Sequence, residues 1–420
     1  MALAALITAL VIACHPRPEP ARAPVPTPAP AKAQAARILV GTSGDYAPLS
    51  IAKGDRFEGF APSLVDAFAQ ARGMEVAWSR FKWTELGADM RSGRFEIAAD
   101  GITVRPERSI AGSFTVPIAR GGAVLLLRRP AWASRTAESG VRELDRAELR
   151  IAVNRGAHLE RVTRALFHAA DIRAIPDNVA VRAAFARGEV DAAMTNTFEA
   201  PKWAEGLTGI ERIGPLTNDV TALWVRADRE GLALEIDRWL LEEEESGRLS
   251  KLRAKELGEG AGPPAATIVS ALGAAMSERL ALMPFVADAK RARGLAVEDT
   301  AQEAKVLASA KAQVENAARD ARRPAPPSAA IESFFRLQIE TAKSVQTRST
   351  NEASRASYDL DKELRPAIAR ISARQAMLLV RVPANLDART VATTIRADLE
   401  GLDDAAIAAF SEAIAALGAR

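Results

Sequence analysis

The chain has 420 residues, 48% of them hydrophobic, with 56 Lys and Arg against 53 Asp and Glu and a formal net charge of +3 at pH 7. That length suggests two or three compact domains with buried cores. The near-balanced charge, without a long basic run, argues against a nucleic-acid binder. Cys14 is the single cysteine, which excludes an intrachain disulfide, and His15, His158 and His168 fall in no HExxH or similar spacing, so a bound metal is not expected.

Met1 to Ala13 is almost wholly apolar. It is too short to span a bilayer as a helix, but it fits the apolar core of a signal peptide. Val11-Ile12-Ala13-Cys14 resembles a bacterial lipobox, in which cleavage leaves Cys14 as the lipidated N-terminus. Met1-Ala2-Leu3-Ala4 departs from that pattern by lacking a basic residue, and an apolar tail with an accidental cysteine is the alternative. Residues 15–36 alternate Pro with Ala and polar residues, a composition that favours an extended, semi-rigid stalk. The expected product is exported, periplasmic and attached to the membrane only through lipid.

From Arg37 the texture changes to short apolar strands alternating with amphipathic helices. RILVGTS reads as a strand and PSLVDAFAQARG as a helix ending at Gly73. VAWSRF, EIAADGI and AVLLLRR read as further strands, with TELGADMRSG a helix among them. A second set follows: strand RIAVN, a helix through Ala170, a short strand near Ile172, helix VAVRAAFARG and strand DAAMTN. The strand ALWVRA then precedes the helix LALEIDRWLLEEEESG. Two α/β units imply two lobes around a cleft, lobe one at about 37–128 and 222–258 and lobe two at about 129–221. GEGAGPP breaks the chain at Gly258–Pro264. Beyond it, helices are expected near 266–293, 300–322, 328–347, 357–382 and 403–418, making 264–420 an all-α domain.

Within residues 37–258 stand GDYAP (44–48), Trp83 before Leu86, GITVRPERS (101–109), VNRGAHLE (153–160), IPDN (175–178) and GEVDAAMTNTFEA (188–200), in that order. This set resembles the periplasmic amino-acid-binding proteins of solute-binding family 3, with their two-lobed type II fold, and within them the cyclohexadienyl (prephenate or arogenate) dehydratases. The resemblance implies that Arg108 grips a substrate carboxylate bidentately, with the Thr103 hydroxyl beside it; an ordinary ion pair with Glu107 is the alternative. Asn154 to Ala157, where a strand turns into a helix, form a second anion site. Glu199 is implied as the general acid that protonates the departing ring hydroxyl, which requires burial or neighbouring negative charge to raise its pKa; otherwise it is a surface glutamate. Tyr46 and Trp83 would line the cleft, although Trp83 suits core packing nearly as well. Two positions depart from the family. Asn196 stands where Asp commonly pairs the ligand's ammonium, which tilts preference toward the keto acid prephenate. Ala123 stands near an expected Lys, with Arg120 close by in sequence.

In the helical domain, Arg279 and Lys290 lie eleven residues apart; on one helix that spacing returns to within about 20° of the same face. With AVEDTAQEAKVL, FFRLQIETAKSVQ and ELRPAIARI following in order, the domain resembles the all-helical chorismate mutases, most closely the secreted class. The resemblance implies Arg279 and Arg365 as carboxylate ligands, Glu303 at the substrate hydroxyl, and Lys290 and Gln346 as donors to the ether oxygen. Such a pericyclic reaction needs a compact bound conformer and stabilised charge on that oxygen, but no nucleophile. Gln302 and Ala342 depart from a common Arg and a common Ser or Thr. A solvated charged face is the alternative for Arg279 and Lys290.

Together these readings imply a cofactor-free, two-step enzyme acting on chorismate and then on prephenate or arogenate. The alternative is an amino-acid transport receptor fused to a mutase or to a helical partner-binding bundle. Glu199 with Asn196 discriminates the two, because a receptor needs no acid and keeps an aspartate. The sequence leaves the oligomeric state open.

Overall fold

A computed structural model describes residues 36–128, 141–258, 264–350 and 355–418; Cys14, the apolar leader and the stalk lie outside the described residues. The first domain has two sheets. One runs Glu75–Arg80, Arg37–Thr42, Ile97–Ala98, Trp224–Arg226, Gly112–Phe114, with parallel pairing among its first three strands and the fourth antiparallel to both its neighbours. The other runs Asp171–Ile175, Arg150–Asn154, Ala192–Asn196, Ala123–Arg128, Ile210–Ile213, with the same change of sense. Two short strands, Ala119–Gly121 and Asp219–Thr221, pair antiparallel where the chain crosses between the lobes and back. They form the hinge.

Local chemistry explains these elements. Phe60–Arg72 turns its apolar face to the first sheet and ends at Gly73 in the left-handed conformation (φ 62°). Asn178–Ala186 starts under an Asp177 cap that accepts from the Ala180 N–H. Ala123–Arg128 is buried along nearly its whole length, as a strand covered on both faces must be.

That strand corrects the expected lobe boundary. It pairs with Ala192–Asn196 in the second sheet, so lobe one ends near the hinge strand Ala119–Gly121 and not at 128. The helix expected through Ala170 stops at Leu166. A helix not anticipated, Arg248–Leu257, follows Gly247.

The second domain contains helices Pro264–Ala281, Met283–Ala292, Thr300–Asp320, Ser328–Arg348, Arg365–Leu379, Ala388–Ile395 and Asp404–Leu417. The single long helix expected over 266–293 is broken at Leu282, because Pro284 lacks the N–H that would continue it. The helix expected from 357 begins as a wide turn, Leu360–Leu364, capped by Asp359, and Pro366 then opens the helix proper. Thr267–Ala292 is long and apolar enough for a membrane span, but 67% of its most apolar stretch is buried inside the domain.

One buried apolar cluster runs without interruption from lobe one into the helical domain, joining Phe68, Phe114 and Trp239 to Leu272, Phe334 and Phe410. Lobe two keeps two clusters of its own. Polar contacts reinforce the shared side. Arg374 reaches the Phe114 carbonyl and Glu278, all buried. Arg120, on a hinge strand, donates to both Asp398 oxygens (2.6 and 3.0 Å) and to the Ser270 carbonyl (2.6 Å). Asn218, beside the other hinge strand, also donates to Asp398 (3.2 Å).

Candidate active sites

The cleft between the lobes is closed. The Asn196 amide donates to the Tyr46 hydroxyl, Arg161 pairs with Glu107 at 3.2 Å, and the Asn178 N–H meets Asp45 at 3.3 Å, each contact crossing from one lobe to the other. A cavity of about 30 Å³ remains, lined by Tyr46, Trp83, Thr103, Arg108, Asn154 and Asn196 among others. These are all the expected cleft residues except Glu199. So small a space cannot hold a ten-carbon diacid, and substrate entry requires the lobes to part.

Arg108 rides the short helix Pro106–Ala111 and is buried, which holds its guanidinium well below the usual arginine range. One nitrogen, Nη1, donates to the Thr103 carbonyl at 3.0 Å. Trp83 donates to Asp45 (3.2 Å) and meets the edge of Tyr46 with ring centres 5.7 Å apart, so it is both packed and at the cavity wall. Gly101 has no side chain because a Cβ there would collide with the Tyr46 ring. Asn154 is buried with Oδ1 unpaired. The anion site expected at Asn154–Ala157 is narrower than the sequence suggested: Arg155 N–H is taken by the Ile175 carbonyl (2.7 Å) and Gly156 N–H by Glu160 (2.7 Å). Ala157, His158 and Leu159, at the start of the helix, line the cavity. His158 was missed from sequence. Its Nε2 meets Asp219 at 3.0 Å and its Nδ1 is unpaired. Arg120 points away from the cleft to Asp398 and does not supply the cation missing at Ala123.

Glu199 lies behind this wall, 1% exposed. Its Oε2 accepts from Thr195 Oγ1 (2.9 Å) and Asn196 Nδ2 (3.2 Å), leaving Oε1 for a proton. Burial, above all, pushes its pKa well above the usual carboxylate range, and the Asp45 and Asp100 charges push the same way. Asn196 spends its Oδ1 on the N–H groups of Phe198 (2.8 Å) and Glu199 (3.1 Å), so that oxygen is already committed.

The helical domain encloses a cavity of about 370 Å³ that brings together all five residues expected there: Arg279, Lys290, Glu303, Gln346 and Arg365. The break at Leu282 does not separate Arg279 from Lys290, and both face this space. Arg279 is buried with Nε and Nη1 unpaired, and burial lowers its pKa to about 10, so it stays charged at neutral pH. Gln346 Oε1 and Glu303 Oε1 are likewise buried and unpaired. Gln346 Nε2 has only the Met283 sulfur, at 3.6 Å, a weak acceptor. Lys290 donates to the Val297 carbonyl at 2.7 Å, and burial lowers its pKa. Such unpaired groups are costly unless a ligand completes them. Lys343, also on the wall and 3.4 Å from Glu303, was missed, although it sits one turn before Gln346 on the same helix face.

Residues 38–259, more than half of the chain, match bacterial extracellular solute-binding proteins, family 3. The chain belongs to that family. Residues 266–347 match chorismate mutase type II, which covers the helices bearing Arg279, Lys290, Glu303 and Gln346. The cyclohexadienyl dehydratase of Pseudomonas aeruginosa is 28% identical over 215 residues, which is 50% of this chain and 78% of that protein. An amino-acid ABC transporter-binding protein of Vibrio harveyi is 23% identical, covering 53% of this chain and 90% of its own length. The solved structure of an ABC-transporter binding component from Wolinella succinogenes, complexed with lysine, aligns with a TM-score of 0.50 at 18% identity over 53% of this chain and 96% of that one, a likeness of fold alone.

Proposed function

We propose that this chain is a bifunctional enzyme of phenylalanine biosynthesis: the helical domain converts chorismate to prephenate, and the cleft domain dehydrates and decarboxylates prephenate to phenylpyruvate. The observation that carries the first step is the convergence of Arg279, Lys290, Glu303, Gln346 and Arg365 on one cavity, with buried polar atoms of Arg279, Glu303 and Gln346 unpaired. Arg279 and Arg365 hold the two carboxylates. Lys290 and the Gln346 amide donate to the ether oxygen as its bond to carbon breaks, while Glu303 accepts from the ring hydroxyl. No proton moves.

In the second step Arg108 holds a carboxylate and Glu199, opened to the cleft as Asn196 parts from Tyr46, delivers a proton to the ring hydroxyl, which leaves as water. The ring carboxylate departs as carbon dioxide, and the electrons of its carbon–carbon bond complete the aromatic ring. Glu199 then regains a proton from solvent. Its burial supports this role, because an acid needs its proton at neutral pH. With its Oδ1 committed, Asn196 does not offer an ammonium the carboxylate that an aspartate at that position would, which supports prephenate over arogenate. A higher kcat/KM for arogenate contradicts that preference.

The remaining parts of the reading are a secreted-class mutase spanning 264–420, a dehydratase over 37–258, and a signal peptide ending at a lipidated Cys14 before the stalk 15–36. Family 3 membership supports export. Detergent-phase partitioning that disappears in Cys14→Ser tests the lipid. Adding chorismate to purified protein and following phenylpyruvate tests the enzyme. Prephenate that binds but persists favours a transport receptor.

A further inference from the structure

The helix Arg365–Leu379 has two working faces. Arg365, then Ile368 and Ala369, then Ser372, one turn after another, line the mutase cavity. Arg370 and Arg374, also one turn apart, face the cleft domain instead. Arg370 Nη2 lies 3.1 Å from the Ser109 carbonyl, 3.1 Å from that of Ile110 and 3.4 Å from that of Gly112. Ser109 and Ile110 belong to the last turn of Pro106–Ala111, the helix that presents Arg108. Carbonyls in a last turn have no partner within their own helix. A helix this short has little hold on its own geometry, so outside contacts fix it. Trp224 Nε1 holds the Arg108 carbonyl at 2.9 Å, and Arg374 holds the Phe114 carbonyl just downstream.

We infer that Arg370, a residue of the helical domain, is a positioning residue for the cleft, acting through Arg108. The inference rests on the dehydratase reading above. Arg370 touches no substrate. It fixes the end of the helix from which Arg108 reaches the ligand carboxylate, through one guanidinium nitrogen, Nη2, shared among three carbonyls. Glu199 stands in the other lobe, held by Thr195 and Asn196, out of reach of this contact. Loosening Arg370 therefore weakens substrate binding and spares the proton transfer.

The test compares Arg370→Gln and Arg370→Lys with the wild type in the full chain. Prephenate KM, kcat and calorimetric affinity, chorismate KM and kcat, and the thermal midpoint are measured. For Arg370→Gln, prephenate KM and Kd rise by roughly 10-fold while kcat stays within about twofold, the pattern of lost binding without lost chemistry. Arg370→Lys recovers part of the loss, and chorismate kinetics do not change. An unchanged prephenate KM and Kd overturns the positioning role, as does a joint fall of both activities with a lowered midpoint. A wild type that neither binds nor converts prephenate overturns the dehydratase reading itself, and this inference with it.

Discussion

Replacing Glu199 with Gln removes one proton and almost nothing else. The amide keeps the shape of the side chain, and its oxygen can still accept from Thr195 and Asn196, which hold Glu199 at 2.9 and 3.2 Å. It cannot give a proton to a leaving hydroxyl. A positioned general acid contributes roughly 10²- to 10⁴-fold, so dehydration kcat falls by that factor while chorismate turnover is unchanged. A second consequence concerns stability. Burial raises the folded pKa of Glu199, whereas the unfolded chain titrates near ~4.3. Between those two values the folded state binds the extra proton, so stability is full below the unfolded value and falls as pH rises, by about 1.4 kcal/mol per pH unit. The Gln variant lacks that slope. Its thermal midpoint therefore gains on the wild type as pH rises from ~4.3 until the folded pKa is passed. Calorimetry across pH, with a phenylpyruvate assay on prephenate, reads both effects. A dehydration rate within threefold of wild type, or a midpoint gap that does not change with pH, refutes Glu199 as the buried acid.

The mutase residues separate in the same way. Lys290→Met lowers chorismate turnover by about 10² to 10³, the weight of one donor to a developing oxyanion, and leaves prephenate dehydration unchanged in a direct assay. Wild-type mutase activity stays nearly flat between roughly pH 6 and 8 because Gln346 donates without titrating; Gln346→Glu makes the rate fall with rising pH, as the carboxyl must then be protonated to donate. Arg374→Met strands Glu278 without its cation beside Asp237, whose pKa burial already raises to about 7. Breaking such a buried pair costs about 3–5 kcal/mol, and the loss appears in calorimetry as a lower midpoint for lobe one and the helical domain together, since they share a core.

The proposed mutase site was readable because it consists of a few charged and amide groups at helical spacings, and helical spacing survives even a break such as the one at Leu282. That break was itself legible in Pro284. Lys343 was legible by the same periodicity, through Gln346. The cleft was harder. Arg108, Thr103 and Asn154 stand out only through their motifs, and the pairing of His158 with Asp219 joins positions 61 apart in the chain, which no local pattern signals. The strand Ala123–Arg128 could not be assigned to a lobe from its sequence, since an apolar run fits the middle of either sheet equally well. Only its pairing with Ala192–Asn196 and Ile210–Ile213 decides it.

The contact between the domains was the least legible feature, and the reason is physical. Nothing in the sequence sets Glu278, Arg370, Arg374 and Asp398 apart from ordinary solvated charges, the usual fate of such residues, and Arg120 drew notice only as a cation near Ala123. In the folded chain Arg120 meets Asp398 across the junction, Arg370 and Arg374 reach backbone carbonyls of lobe one, and Glu278 pairs with Arg374 from within the helical domain, beside an apolar core continuous from lobe one to the last helix. Among the described residues lobe two adds only Ala157 to that core, with Phe198 packed against it, and keeps the rest of its buried apolar residues in clusters of its own. This division predicts that the cleft opens by moving lobe two against a body made of lobe one and the helical domain. Arg120 and Asn218, both tied to Asp398, anchor the two crossing segments on that body. A motion of this kind leaves the mutase cavity undisturbed while substrate enters the cleft, so the two reactions can proceed on one chain without each opening step breaking the other site.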